Sequence, residues 1–403
     1  RTTTLLPPRR ACRALQDAFL DATGGRATLL PRIRPIGDTD EDGGFLRSLA
    51  GIAPLTGDDG APLPPAVATL ERHLVLTSLV LAWSRAMRKS AIAAGDAVVL
   101  SDAAPDLQET TPAQASHLAG ELARLFDSVE TEERDLANLA GLVPDAYSAH
   151  WQRTLDFLAI VTSQWPAYLE ARAVMSPSAR RRAMIDRMTA DYQRSSSGDP
   201  VIVAGVTGSI PATARLMRAV SQLANGAVVV PGIDLTLAEP AWIAAGDGNP
   251  SHPQAGFRRL LEVLAVERSA IGWLPGSQPD AAATDRLWLL GEAMRPPSTT
   301  DAWAGLAGDA CRQRIRSGLG GVSLIEARSA DEEAEAVALI LRHAAEQPGV
   351  SAALVSPDRL LARRVATRLE SWGIRVDDSA GRPFGKTVPG AFLDLIADVV
   401  ETR

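Results

Sequence analysis

The sequence predicts an α/β protein, and three observations carry that expectation. Short β-rich or apolar runs alternate with helix-like ones at the start of the chain: Thr2–Leu6, Arg9–Ala22, then Ala27–Leu30. The alternation returns at Pro200–Gly205, Pro211–Leu223 and Gly226–Pro231, and again from Val322 onward. Between the first two groups, residues from about 68 to 195 are mostly helical in pattern, as an inserted subdomain would be.

The elements follow in order. Ala11, Leu15, Ala18 and Phe19 fall near one face of the first helix, and Gly24-Gly25 ends it. The acidic, Gly-rich stretch Asp38–Gly44 reads as a loop. Thr69–Met87 is strongly apolar, whereas Pro112–Phe126 and Trp151–Leu169 are amphipathic. Pro211 suits a first helical turn, and Ser209 is positioned to cap it. A helix is expected near Phe257–Leu264. A second α/β unit reads as strand Val322–Ile325, helix Asp331–Glu346, strand Ala352–Val355 and helix Pro357–Trp372. The apolar segment Gly373–Val376 and the helix-like Ala391–Ile396 follow.

Composition narrows the classes. The chain has 403 residues, 46% of them hydrophobic and 22% charged, which suits a soluble globular protein of two or three domains. Among the residues given, neither an apolar run of membrane-spanning length nor a signal-peptide pattern is found, and a cytoplasmic protein without membrane contact is expected. Cys12 and Cys311 are too few for a disulfide scaffold or a four-cysteine metal site. The net charge of −7 argues against a generally basic nucleic-acid coat but leaves room for a local basic channel. Lys89 and Lys386 are the only lysines, so lysine chemistry has two candidates. The chain begins at Arg1 and stops within a helix-like pattern, which leads us to expect a piece of a longer protein.

"AGRPFGKT" invites comparison with a phosphate-binding loop, G-x-x-x-x-G-K-[ST]. Gly381 and Gly385 are separated by three residues rather than four, and Ala380 stands where the first glycine belongs. Pro389 follows closely, where helix N–H groups would face phosphate. The better reading is a turn; Gly385, Lys386 and Thr387 remain the alternative nucleotide-binding residues. The strand Val201–Gly205 carries no carboxylate to hold Mg²⁺, so neither Walker motif is intact. Thr207, Gly208 and Ser209 could bind an anion ahead of a helix, or simply start it. Arg180, Arg181, Arg182 and Arg187 are candidates for DNA phosphates, with Asp186 interleaved and a solvated helix face as the plain alternative. His73, His117, His150, His252 and His343 are scattered without metal-binding spacing, and Asp377-Asp378 reads as a solvated acid pair.

Taken in order, four stretches resemble the AddB subunit of the bacterial AddAB helicase–nuclease, in its alphaproteobacterial form. They are "LLPPRRACRALQDAF" with "LLPRIRPIGDTDED"; "HWQRTLDFLAIVTSQWPAYL"; "PVIVAGVTGSIPATARLMRAVSQLANGAVVVPGIDL"; and "EARSADEEAEAVALILRHA" with "ALVSPDRLLARRVATRLESWGIRVDDSAGRPFGKT". The resemblance implies two RecA-like, superfamily-one helicase-like parallel-sheet domains, the first with a long helical insertion. The domains implied are 1–66 and 198–315 for the first, 67–197 for the insertion, and 316–403 for the start of a truncated second. It implies a degenerate motor that works in double-strand break repair by homologous recombination. Such a subunit holds DNA, recognises the Chi sequence and pairs with an AddA-like motor subunit as a heterodimer. Arg9–Phe19 then corresponds to a segment that touches single-stranded DNA, and Arg9, Arg10 and Arg13 join Arg180, Arg181 and Arg182 as expected DNA contacts. The family's nuclease, with its iron–sulfur cluster and Mg²⁺, is expected only beyond this chain; no cofactor and no catalytic residue is assigned within it. Apolar surface separated from its partner is expected to favour self-association. An ATPase using Lys386 and a protein-interaction scaffold without DNA affinity are the rival classes.

Overall fold

The computed structural model describes residues 2–37, 63–93, 110–134, 148–194, 198–246, 249–381 and 384–401. The expected loop Asp38–Gly44 lies outside them. The chain divides into two units, Arg1–Leu319 and Gly320–Arg403.

In the first unit, strands β1 (Thr3–Leu6), β2 (Arg32–Pro35), β3 (Val201–Ala204) and β4 (Gly226–Val229) form one parallel sheet in the order β2-β1-β3-β4. Thr3 lies opposite both Arg32 and Val201, and Val201 lies opposite Gly226. The protein is therefore α/β, as expected. The second strand, however, lies later than Ala27–Leu30. The Arg32 amide donates to Thr2 O and the Ile36 amide to Leu6 O, a register that buries Ile36 and leaves Leu29 exposed. Pro35 is tolerated because β2 is an edge strand.

Helix α1 (Arg9–Ala22) returns from β1 to β2. The block that follows comprises α2 (Thr69–Ala93), α3 (Pro112–Thr131), α4 (Ser148–Arg172) and α5 (Pro177–Arg194). Helix α3 starts where its sequence says it should. Thr111 Oγ1 accepts from the Gln114 amide at 3.2 Å, Gln114 Oε1 accepts from the Thr111 amide at 2.9 Å, and Pro112 fills the first turn. Ala115, Ala119, Leu122 and Phe126 then repeat at helical spacing and pack with Leu76 and Val80 of α2 and Leu158 and Trp165 of α4.

Helix α5 belongs to both layers. It packs against α3 and against α6 (Pro211–Ser221), and its Ile185 enters the sheet core beside Leu5 and Ile36. Leu216, Met217 and Val220 of α6 are fully buried in that core. Burying a side chain such as Leu216 stabilises the fold by roughly 1.5–3 kcal/mol. Next come α7 (Glu239–Gly246) and α8 (Ala255–Leu264), whose Trp242, Phe257, Leu260 and Leu261 complete the core. The unit ends with α9 (Ala281–Ala293) and α10 (Asp309–Gly318), which pack on each other.

In the second unit, α11 (Ala330–Ala345) and α12 (Arg359–Ser371) pack through Ala334, Ala338, Leu361, Val365 and Leu369, and α13 (Val388–Glu401) follows. Ser329 caps α11, with Asp331, Glu332 and Glu333 in its first turn and Arg342 and His343 in its last, as the helix dipole favours. The expected strands at Val322–Ile325 and Ala352–Val355 are not formed, and the apolar segment Gly373–Val376 is not a strand either. Leu354 and Ile374 pack on the helix pair, while Leu324 and Val355 are 85% and 93% exposed. A strand needs a neighbour for its ladder, and no strand is assigned among the described residues of this unit.

Candidate functional site

In a parallel sheet every strand ends at the same edge, and each following helix begins there. Here that edge holds a cavity of about 430 Å³. Pro7 and Arg9 bring the start of α1 to its wall, and Ile210 and Ala212 bring the start of α6. Pro177 and Ser178 bring the start of α5. Three helix N-termini therefore meet on one cavity, each contributing partial positive charge. Neither α1 nor α6 has a side-chain cap.

The third helix arrives through a separate device. Ala66 and Met175 form a parallel bridge, with the Val67 amide donating to Met175 O and the Met175 amide to Pro65 O, each at 2.9 Å. Ser176 is buried beside it; its Oγ accepts from the Ala179 amide at 3.2 Å and donates to Glu130. This fixes the first turn of α5 and presents Arg181 and Arg182 to the cavity together with Arg9. Asp127 is the single acid of the described lining. Its carboxylate is engaged by Arg72 at 2.9 and 3.0 Å and by the Ser178 hydroxyl at 2.6 Å. Cationic side chains and helix dipoles thus dominate the cavity, a setting that favours an anion with several oxygens, as a phosphate has.

Of the expected DNA contacts, the structure brings Arg9, Arg181 and Arg182 together. Arg180 turns elsewhere and donates from Nε to Pro64 O at 3.0 Å. Arg10 and Arg13 are exposed on α1 outside the lining. Thr207, Gly208 and Ser209 also stay outside it. Gly208 is buried at φ +64°, and a Cβ there would stand 2.5 Å from Leu260 Cδ1, so its role is close packing. Ser209 does not cap α6; Ile210 occupies that position, and Thr207 Oγ1 donates to Ser209 Oγ at 3.3 Å.

Gly385 and Lys386 lie in a short 3₁₀ turn, Phe384–Lys386. The Thr387 hydroxyl donates to Phe384 O at 2.6 Å and accepts from the Gly390 amide at 3.3 Å, which ties the turn to the start of α13. Arg359 holds Asp378 through two bonds of 3.1 Å. His252 Nδ1 accepts from the Gln254 amide at 3.1 Å and its Nε2 lies 2.9 Å from Met294 O, a tautomer with the proton on Nε2 that pins two loops. Among the described residues, no three acids, histidines or cysteines are grouped to hold a metal ion. No described helix is long and apolar enough to cross a membrane.

Sequence reasoning did not single out Gly37, Asp127 or Ser178. "PIGDTD" did show a glycine after the second strand, but its conformation appears only in the fold. No protein-family model, curated protein or solved structure matches the chain.

Proposed function

We propose that the chain is the helicase-like part of an AddB-type subunit, acting in double-strand break repair by holding DNA through its phosphates beside an AddA-like motor. The convergence of Arg9, Arg181 and Arg182 with three helix N-termini at one sheet edge carries this reading. Arg9 and the adjacent pair Arg181 and Arg182 come from distant parts of the sequence, so their meeting is a property of the fold. The order of the four family-like stretches supports the AddB assignment, and with it two RecA-like domains and Chi recognition. Binding requires no ATP turnover by this chain in this reading: β3 ends at Ala204 and runs on into Gly205-Val206, without acids for Mg²⁺.

The test is fluorescence anisotropy of a labelled oligo-dT strand titrated with the protein over a range of salt concentrations. Affinity should fall steeply with salt, by a slope of about 0.7 for each phosphate contact. Arg9→Ala and Arg182→Ala should each weaken binding severalfold and flatten that slope. Salt-independent binding, or none, would remove the reading and favour a protein-interaction role.

A further inference from the structure

Outside the cavity lining, Arg215 of α6 joins three elements. Its NH1 and NH2 donate to Glu133 Oε2 and Oε1 at 2.8 and 2.6 Å, and its NH2 also donates to Asp186 Oδ1 at 2.6 Å. Glu133 follows α3, the helix that brings Asp127 and Thr131 to the cavity. Asp186 lies one turn after Arg182 on α5.

Glu133 is held unusually. Its φ of +53° is left-handed, a conformation that favours glycine, yet a carboxylate stands there. The Arg134 amide closes the end of α3 on Val129 O at 2.9 Å, which fixes Glu133 at the turn. Hydrogen bonding from Arg215 holds its carboxyl below the usual range, and the charges of Arg215 and of Arg182 act in the same direction. Glu133 therefore feels both arginines, and only one of them forms the two-pronged pair. Asp186 is likewise within one helical turn of Arg182. Two carboxylates thus stand where they could draw Arg182 away from the cavity, and Arg215 satisfies both.

We infer that Arg215 is a positioning residue, which keeps Arg182 available to a bound phosphate by taking up Glu133 and Asp186. The inference rests on the phosphate-holding reading above. Without Arg215, Arg182 would turn to the released carboxylates and its contribution to binding would vanish, although Arg215 itself does not line the cavity.

A double-mutant cycle on oligo-dT affinity tests this, using Arg182→Ala and Arg215→Gln, with circular dichroism melts to confirm folding. Arg182→Ala should cost severalfold in the wild type and close to nothing in the Arg215→Gln background. Its cost should return when Glu133→Gln and Asp186→Asn are added to Arg215→Gln, because no carboxylate then competes. Should Arg215→Gln alone fail to fold, Arg215→Gln with Asp186→Asn leaves Glu133 as the competitor, and Arg182→Ala must cost less there than in the wild type. An equal Arg182→Ala cost with and without Arg215 overturns the positioning role while leaving the phosphate site standing. No cost in the wild type overturns the phosphate reading, and the positioning role with it.

Discussion

Gly37 shows how one residue sets the cavity wall. Its φ is +65°, and a Cβ there would lie 3.1 Å from Arg181 Cγ and from Ile185 Cδ1. The first neighbour is a flexible stem, but the second belongs to the buried core. Gly37→Ala therefore meets both left-handed strain and crowding. We expect a stability loss of roughly 1–3 kcal/mol by urea denaturation, with weaker oligo-dT binding as Arg181 is displaced. An alanine variant as stable as the parent would show that the wall yields freely. The glycine was visible in the sequence, but its conformation was not. Side chains four residues apart on α1 show the same limit: Arg9 lines the cavity and Arg13 does not, since the strand end, not the local pattern, decides which one faces it.

At the scale of elements, local signals were read better than nonlocal ones, although the Ser209 cap expected for α6 did not form. The Thr111 cap and the Ala115–Phe126 spacing are encoded within α3 itself, so α3 was legible. The second strand was placed too early because strand position depends on register against β1, which no local pattern contains. The pairing of α2 with α3 was equally hidden, although Arg72 depends on it. The Arg72 side chain is 7% exposed and bonds both Asp127 and Ala123 O, the latter at 2.9 Å. Asp127→Ala would leave this guanidinium buried without its counter-ion. A fully buried pair broken in this way loses about 3–5 kcal/mol, and the 40% exposure of Asp127 reduces the expectation to about 2 kcal/mol. The same substitution removes the acid from the cavity lining, so oligo-dT should bind more tightly to the fraction that folds. Loss of stability with unchanged binding would mean that Asp127 has no electrostatic influence on the cavity.

For the molecule as a whole, the first unit closes its core and the second leaves much of its apolar surface in solvent. Alternation of apolar runs and helices read the same way in both units, yet only the first has strands among the described residues. The difference is physical: the strands of the first unit have neighbours to complete their ladders, whereas Leu354 and Ile374 of the second find only helices to pack against. Leu324 and Val355 have almost no packing to lose, being 85% and 93% exposed. Exposed leucine and valine in strand-forming sequence favour association with another chain. Leu324→Glu with Val355→Glu should therefore leave the melting temperature unchanged and lower self-association, read by sedimentation velocity over a range of protein concentrations. A parent chain that stays monomeric throughout, or a variant that melts several degrees earlier, would show that these side chains already have their partners within the unit.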